Sequence, residues 1–353
     1  MTGLALEAID RYLRTLTDHS GSDLLLAAGS PPMVRVDGQL LPVDGEPRLT
    51  SDTAAAIVSS FLGSELRARL AERGDVDFAF AWGGEDRFRA NAFMQQGAPA
   101  LALRRLPNRV PTPEELGMPA ALVGFADAPR GLVLVTGPTG SGKTTTLAAL
   151  VGYLAARRSC HVLTIEDPIE FLHEHRRAAV TQRQIGTDSP SFADALRAAL
   201  REDPDVVLVG EMRDLDSIQT TLTLAETGHL VLATLHTNDA AQAIDRVIDV
   251  FPAERQGLVR VQLGATLVGV VAQHLVPRVG GGRVAAYEIL VATSAVRSLI
   301  REGHTEQLRN VIATSSAAGM QTLEAALRAG VQAGVVTMED AVALAAHPGE
   351  LNR

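Results

Sequence analysis

The chain has 353 residues, a formal net charge of −9 and a single cysteine. Its length favours two domains that each bury a core, and its hydrophobic content of 46% excludes a disordered polypeptide. The acidic balance argues against a protein whose main partner is nucleic acid, and the lone Cys160 excludes an internal disulfide and a four-cysteine zinc site. The first residues lack a secretion signal and no apolar run is long enough to span a bilayer, so we expect a cytoplasmic protein that can still dock on a membrane protein.

The first domain is predicted over residues 1–106 and mixes helices with short strands in an α+β pattern. Turn-forming Pro and Gly residues separate these elements. The predicted helices cover residues 5–17 and 52–62, and the predicted strands cover residues 23–27, 33–36, 76–80 and 88–93. Prolines then recur from Pro107 to Pro129, which indicates a Pro-rich linker over residues 107–130.

The second domain is predicted over residues 131–353 and has a different pattern of apolar residues. Near-continuous apolar runs at residues 131–136, 161–165, 205–209 and 230–235 alternate with helical stretches, and helices close the chain. Such runs are typical of strands that helices cover on both faces, so we predict an α/β domain with a parallel sheet and right-handed crossovers. Nucleotides bind at the carboxyl ends of such strands.

A complete P-loop pattern, GPTGSGKT, follows the first of these strands and precedes a helix. Glycines let successive N–H groups converge on phosphate oxygens at the positive end of the helix. Lys143 is expected to neutralise the β- and γ-phosphates of ATP, and the Thr144 hydroxyl to coordinate Mg²⁺. A turn without a ligand is the alternative, which the matching spacing and flanking elements disfavour. The predicted nucleotide contacts in this loop are Gly137, Thr139, Gly140, Ser141, Gly142, Lys143, Thr144 and Thr145.

Two carboxylates follow the ends of predicted parallel strands and are candidates for catalysis. Glu170 is the candidate base that orients water, and Glu211 the candidate outer-shell metal ligand. Most P-loop enzymes place an aspartate on the metal, whereas here Gly210 and Glu211 stand at that position. A solvated charge at a strand end is the alternative for Glu211, and Asp167 before Pro168 equally suits a turn.

His229 and His236 bracket the fourth predicted strand, where a hydrogen-bonded structural role is the alternative to catalysis. They lack the ligand spacing of a metal site. Four arginines of the first domain are candidates to contact phosphate, because a guanidinium supplied by a neighbouring subunit can complete a hydrolytic site. They are Arg87, Arg89, Arg104 and Arg105.

Over almost its full length the chain resembles the type IV pilus retraction ATPases, the PilT family of the type II/IV secretion ATPases. The resemblance rests on six segments. They are RFRANAF at 87–93, the P-loop, the acidic box ending at Glu170, residues 200–214, residues 226–237 and IDRVIDVFP at 244–252. The segment AVRSLIRE at 295–302 looks like the helix that distinguishes retraction from assembly ATPases.

This resemblance implies a PAS-like first domain, a RecA-like second domain and a ring of six identical subunits, in which each ATP lies between domains and neighbours. It implies phosphate and magnesium roles for Lys143 and Thr144, catalysis by Glu170 and a degenerate Walker B role for Glu211. It also places His229 and His236 in a His box and Arg89 at the nucleotide. The implied partners are an inner-membrane pilus platform protein and a paralogous retraction ATPase, and no nucleic acid is expected.

Two departures from the family pattern concern the first domain. The loop Gln95-Gln96-Gly97 stands where an arginine is frequent, and Leu25 stands where a histidine is common. Neither touches the P-loop, so ATPase activity is still expected.

Three other functions remain open from the sequence. An assembly or secretion ATPase is disfavoured by the single cysteine and the segment at 295–302, and a DNA-translocating motor by the acidic charge. The third is an accessory paralogue that binds nucleotide without hydrolysing it.

Overall fold

The computed structural model describes residues 2–36, 38–84 and 86–351. It divides into two compact units, Met1–Arg109 and Val110–Arg353. In the described part of the chain, no helix combines the length and the apolarity needed to cross a membrane.

The first unit is an antiparallel sheet of six strands in the order β3-β2-β1-β6-β5-β4. Its core includes Leu13 and Ile57 from two helices and Phe88 and Leu101 from the sheet, all fully buried. The elements are α1 (Thr2–Asp18), β1 (Asp23–Leu26), β2 (Met33–Val36), β3 (Gln39–Pro42), α2 (Ser51–Phe61), α3 (Ser64–Arg73), β4 (Asp75–Trp82), β5 (Asp86–Gln95) and β6 (Ala98–Leu106).

The hairpin between β5 and β6 has a two-residue loop, Gln96-Gly97, with φ of 49° and 78°. Positive φ at both positions is the geometry that a right-handed strand twist favours in short hairpins, and glycine adopts it without strain. The residues that depart from the family pattern therefore form a tight turn, which the sequence analysis did not predict. It did not predict β3 or β6 either.

The second unit is a seven-stranded sheet in the order β13-β12-β7-β11-β10-β8-β9. The elements that build this sheet and flank the site are β7 (Gly131–Thr136), α5 (Lys143–Arg157), β8 (His161–Glu166), β9 (Ala179–Gln184), β10 (Val206–Val209), α7 (Leu215–Glu226), β11 (Leu230–Thr234), α8 (Ala240–Asp249), β12 (Leu267–Pro277) and β13 (Arg283–Val291). The remaining helices are α4 (Ala120–Gly124), α6 (Phe192–Ala199), α9 (Ala253–Thr266), α10 (Ser294–Glu302), α11 (Leu308–Thr314), α12 (Leu323–Gln332) and α13 (Met338–Leu344).

All neighbouring strands of this sheet are parallel except β12 and β13, which are antiparallel. The four predicted strands are β7, β8, β10 and β11, and their parallel arrangement is confirmed. The antiparallel pair of β12 and β13 was not predicted, and it arises because β13 follows β12 through a hairpin rather than through a crossover helix.

Helices cover both faces of the sheet, as its apolar strands require. In β7, Leu132 and Leu134 pack into the core that contains α6 to α11, whereas Val133 and Val135 pack into the core that contains α5. Successive side chains of a strand point to opposite faces, so a strand between two helical layers must be apolar at every position. This arrangement brings the ends of β7, β8, β10 and β11 to one edge. The α/β fold predicted from the apolar runs is confirmed.

Candidate nucleotide site

The P-loop joins β7 to α5 and can be formed only by glycine at its two ends. Gly137 has φ of 139°, and a Cβ there would lie 2.2 Å from the Gln273 carbonyl oxygen. Gly142 has φ of 88° and caps α5, which begins at Lys143. The loop therefore wraps the amino end of a helix at the carboxyl edge of the sheet, where the N–H groups and the helix dipole favour an anion.

Lys143 joins the two carbonyl oxygens at the start of the loop. Its side chain is buried, and its Nζ donates to the carbonyl oxygens of Gly137 at 2.8 Å and Pro138 at 3.1 Å. Burial lowers the pKa of Lys143, and the charge of Glu211 acts in the opposite direction. Phosphate oxygens are stronger partners for an ammonium than loop carbonyls, so this cation is placed to exchange them for phosphate.

Glu211 is the centre of a charged cluster at the end of β10. Its carboxylate lies 2.7 Å from Arg213 Nη2 and 3.0 Å from His236 Nε2. Burial acts to raise the pKa of Glu211, but the Arg213 hydrogen bond and the His236 charge outweigh it and the pKa is lowered. The other ring nitrogen of His236, Nδ1, is 3.4 Å from Lys143 Nζ. The imidazole therefore links the P-loop lysine to the strand-end carboxylate.

Hydroxyl groups tie the neighbouring strand ends to one another. The Thr136 hydroxyl donates to the Thr237 carbonyl oxygen at 2.7 Å and accepts from the Thr237 N–H at 2.9 Å. Thr234 Oγ1 donates to the Gly210 carbonyl oxygen. Because these contacts join β7 to the segments that follow β10 and β11, they fix His236 and Glu211 relative to the P-loop.

Glu170 lies four residues beyond the end of β8, in a segment held against β9. The N–H of Ile169 donates to Gln184 Oε1 at 3.2 Å, and Gln182 Nε2 donates to Phe171 O at 2.9 Å. Glu170 itself is half-buried. The segment is thus anchored on both sides of Glu170, at the same edge of the sheet as the P-loop.

His229 is not beside the other predicted site residues of this chain. It precedes β11, whereas His236 follows it, and β11 spans about 17 Å at ~3.3 Å per residue. Its Nδ1 lies 2.9 Å from the Leu224 carbonyl oxygen and 3.2 Å from the Thr227 hydroxyl, at the end of α7. The structure therefore brings together Lys143, Glu211 and His236 but places His229 at the opposite edge of the sheet.

The remaining predicted contacts differ in exposure. Thr144 and Thr145 are half-buried in the first turn of α5, and Thr139 is exposed at the loop tip. Arg89 is exposed on β5 of the first unit.

Gln273 was not predicted and lies behind the P-loop on β12. It is 2% exposed, its Nε2 donates to the Ser141 carbonyl oxygen at 2.8 Å, and its Oε1 accepts from the Thr146 hydroxyl at 2.7 Å. A single buried amide therefore braces both the loop and the helix that follows it. A polar residue inside the apolar stretch of residues 267–276 was the available signal.

The fold and the site define an ATPase of the P-loop class. The defining features are a buried parallel strand, a P-loop with its lysine, and a carboxylate–histidine pair at the neighbouring strand ends. The model of the family described as "Type II/IV secretion system protein" matches residues 66–343. The chain belongs to this family, which confirms the family predicted from the sequence motifs.

Three relatives are similar over nearly the whole chain. The type IV pilus retraction ATPase PilT of Pseudomonas aeruginosa is 49% identical over 333 residues, which cover 94% of this chain and 96% of the relative. The type IV pilus ATPase PilU of the same organism is 41% identical, over 97% of this chain and 90% of the relative. A crystal structure of the pilus retraction motor PilT with bound ADP superposes with a TM-score of 0.92 at 45% identity, covering 98% of this chain and 99% of that one.

Proposed function

We propose that this chain is the Mg-ATP-hydrolysing motor of type IV pilus retraction. The observation that carries the proposal is the connected cluster of Lys143, His236 and Glu211 at the P-loop, in a chain similar along its length to PilT of Pseudomonas aeruginosa. ATP is the substrate, and its hydrolysis supplies mechanical work.

The P-loop binds the phosphates and stabilises the charge that develops during their transfer. Lys143 exchanges the carbonyl oxygens of Gly137 and Pro138 for β- and γ-phosphate oxygens. Ser141 Oγ is buried and has no hydrogen-bond partner within the described part of the chain, so a phosphate oxygen would satisfy it. Glu170 orients the water that attacks the γ-phosphate.

Thr144 and Glu211 are the residues that would hold Mg²⁺. Among the described residues, no group of three or more His, Cys, Asp and Glu side chains could hold a metal by itself. This fits Mg²⁺, because that ion is commonly bound through one or two protein oxygens, substrate phosphates and waters. When bound, Mg²⁺ would neutralise charge on the phosphates, and the Glu211 carboxylate would hold it through its outer shell.

His236 transmits the state of the phosphate site to the strand ends. It contacts Lys143 on one side and Glu211 on the other, and Thr237 beside it is bound to Thr136. Movement of the lysine onto phosphate therefore removes one of the two contacts that fix the imidazole. This is the change from which a nucleotide-dependent movement of the chain would start.

We extend the proposal to a ring of six identical subunits at the cytoplasmic face of the inner membrane, acting on a pilus platform protein. The domain division of residues 1–106, 107–130 and 131–353 and a PAS-like first domain belong to this proposal. Arg89 of the first unit is proposed to contact nucleotide. His229 is too far along β11 to act on the P-loop of its own chain, so its proposed catalytic role requires the site of a neighbouring subunit.

Hydrolysis is tested by phosphate release from the purified full chain, compared with Lys143→Ala and Glu170→Gln. We expect measurable turnover in the wild type, loss of nucleotide binding in the first variant and retained binding with slow turnover in the second. Wild-type turnover no faster than that of both variants would refute the motor and favour an accessory paralogue.

Retraction is separated from assembly by deleting the gene in a piliated host and counting filaments. A retraction motor leaves excess pili that do not shorten. Loss of pili on deletion would indicate an assembly or secretion ATPase instead.

A further inference from the structure

A cavity of about 420 Å³ lies in the second unit, where His274 of β12 and Glu288 of β13 contribute to its lining. This volume is within the range of ~300–1,000 Å³ typical of small-molecule sites. One part of its wall is formed by the segment that follows β11 and the start of α8, and another part by α11, α12 and the residues after α13. Asn238 in its wall directly follows Thr237, which is bound to the end of β7.

One carboxylate in this cavity has an unused hydrogen-bonding oxygen. Glu288 of β13 is 7% exposed and lines the cavity. Its Oε1 accepts from the Ala240 N–H at 2.9 Å, at the start of α8. Within residues 2–36, 38–84 and 86–351, Oε2 makes no hydrogen bond, and it is not sealed from the cavity. This oxygen is therefore available to a hydrogen-bond donor that enters the cavity.

The other charged groups of the cavity leave an excess of negative charge. Glu324 is 2% exposed, accepts from the His347 N–H at 2.9 Å and lies 3.5 Å from Arg309 Nη2. The same Arg309 nitrogen is 2.9 Å from Glu350. The guanidinium is therefore shared between two other carboxylates, and among the described residues no salt bridge joins a cation to Glu288.

Apolar side chains line part of the cavity, beside the polar residues Asn238, Gln242, His274 and His347. Ile312, Leu323 and Leu344 come from three different helices and Ala241 from a fourth. An apolar wall beside one carboxylate oxygen fits a ligand with a carbon body and a single donating cationic head.

We propose that this cavity binds a small aliphatic amine, whose ammonium group pairs with Glu288 and whose carbon body packs against Ile312, Leu323 and Leu344. The site is separate from the P-loop, and two segments lie between them: residues 236–239 and the neighbouring residues Gln273 and His274 of β12. An occupant would therefore bear on the same segment that contacts Lys143, which makes it an effector of the nucleotide site.

Proton release accompanies binding at such a site. Burial raises the pKa of Glu288 to about 7, and Asp239 and Glu324 act in the same direction, whereas the Ala240 N–H and Arg309 oppose them. His274 and His347 also face the cavity. An ammonium group favours the ionised carboxylate, so amine affinity should rise with pH through about 7 as Glu288 loses its proton.

The probe is cyclohexylamine, with cyclohexanol as its uncharged counterpart, titrated calorimetrically into the full chain at pH 8. We expect the amine to bind at least about tenfold more tightly than the alcohol, which corresponds to roughly 1.4 kcal/mol. Glu288→Gln should reduce this preference to less than about twofold. Ala241→Leu should block both probes by filling the cavity, and Glu339→Gln, an exposed carboxylate on α13, should leave binding unchanged.

Equal binding of amine and alcohol, no amine binding to the wild type, or an undiminished preference in Glu288→Gln would each overturn the proposal. If Glu288→Gln fails to fold, undiminished amine binding to a folded Ala241→Leu protein overturns it equally. Every readout is binding, so the result does not depend on whether the chain hydrolyses ATP.

Discussion

Replacement of Gln273 by leucine tests how the P-loop is held in place. Leucine keeps most of the side-chain volume but removes the donor to the Ser141 carbonyl oxygen and the acceptor for the Thr146 hydroxyl. Both partners are buried, and leaving such a group unpaired costs about 1–3 kcal/mol. The Thr146 hydroxyl can rotate to another acceptor, which lowers its share of this cost. We therefore expect a total loss of roughly 2–4 kcal/mol in the free energy of unfolding.

The same variant should bind ADP and ATP more weakly, because the loop whose N–H groups face the phosphates loses its rear support. We expect a fall in affinity of about tenfold to a hundredfold, equivalent to roughly 1.4–2.8 kcal/mol. Denaturant unfolding and titration with a fluorescent ADP measure the two effects. Gln262→Leu on α9 is the control, since its exposed contact to Glu226 should change stability by about 0.5 kcal/mol or less. A Gln273→Leu protein with unchanged ADP affinity would refute the bracing role.

Three further changes have defined outcomes. Thr136→Val removes the acceptor of the part-buried Thr237 N–H and should cost about 1–2 kcal/mol in the free energy of unfolding, measured with denaturant. Arg297→Leu removes a half-buried guanidinium that donates to four carbonyl oxygens around the end of α9, and it should lower the free energy of unfolding by about 2–4 kcal/mol. The control is Arg301→Leu, one turn further along α10, which should lower it by less than about 1 kcal/mol. The wild type should lose about 3 kcal/mol in the free energy of unfolding as pH rises from about 4.5 to about 7, because Glu288 ionises in the unfolded chain but stays protonated in the folded one. Glu288→Gln should remove this loss. If the stabilities of wild type and variant changed equally with pH across this range, the raised pKa of Glu288 would be contradicted.

Features carried by contiguous residues could be predicted from the sequence. The P-loop and the four central parallel strands have local signals, namely a fixed motif and runs that are apolar at every position. The edge strand β9 was missed because Thr181 to Gln184 are polar, as suits a strand with one free side. Strand β12 was missed because α9 ends at Thr266 and β12 begins at Leu267, with no turn residue to separate them.

Features that depend on contacts between distant segments could not be predicted. Gln273 contacts Ser141 because β12 lies beside β7 in the sheet. Neither the sequence of β7 nor that of β12 predicts that these two strands are neighbours. The proximity of His236 to Lys143 and Glu211 likewise follows from the neighbouring positions of β7, β10 and β11. The sequence suggested equivalent roles for the two histidines around β11. They lie at opposite ends of this strand, so only His236 reaches this site.

The structure adds a local contact to the interpretation of the segment AVRSLIRE. From sequence, this segment served to distinguish retraction from assembly ATPases. In the structure it forms α10, whose Arg297 donates to the carbonyl oxygens of Gly264, Ala265 and Leu267 and so fixes the junction of α9 with β12. That junction leads directly into the strand that carries Gln273. A structural link from α10 to the rear of the P-loop is therefore present within the second unit.

Shortening of fluorescently labelled pili on living cells tests the central claim most directly. Cells of a piliated host that carry the wild-type gene in place of their own retraction ATPase should show pili that extend and then shorten. Cells that carry Glu170→Gln should accumulate extended pili that do not shorten. Shortening at the wild-type frequency in the Glu170→Gln cells, or absence of extended pili from them, would contradict a retraction motor driven by hydrolysis at this P-loop.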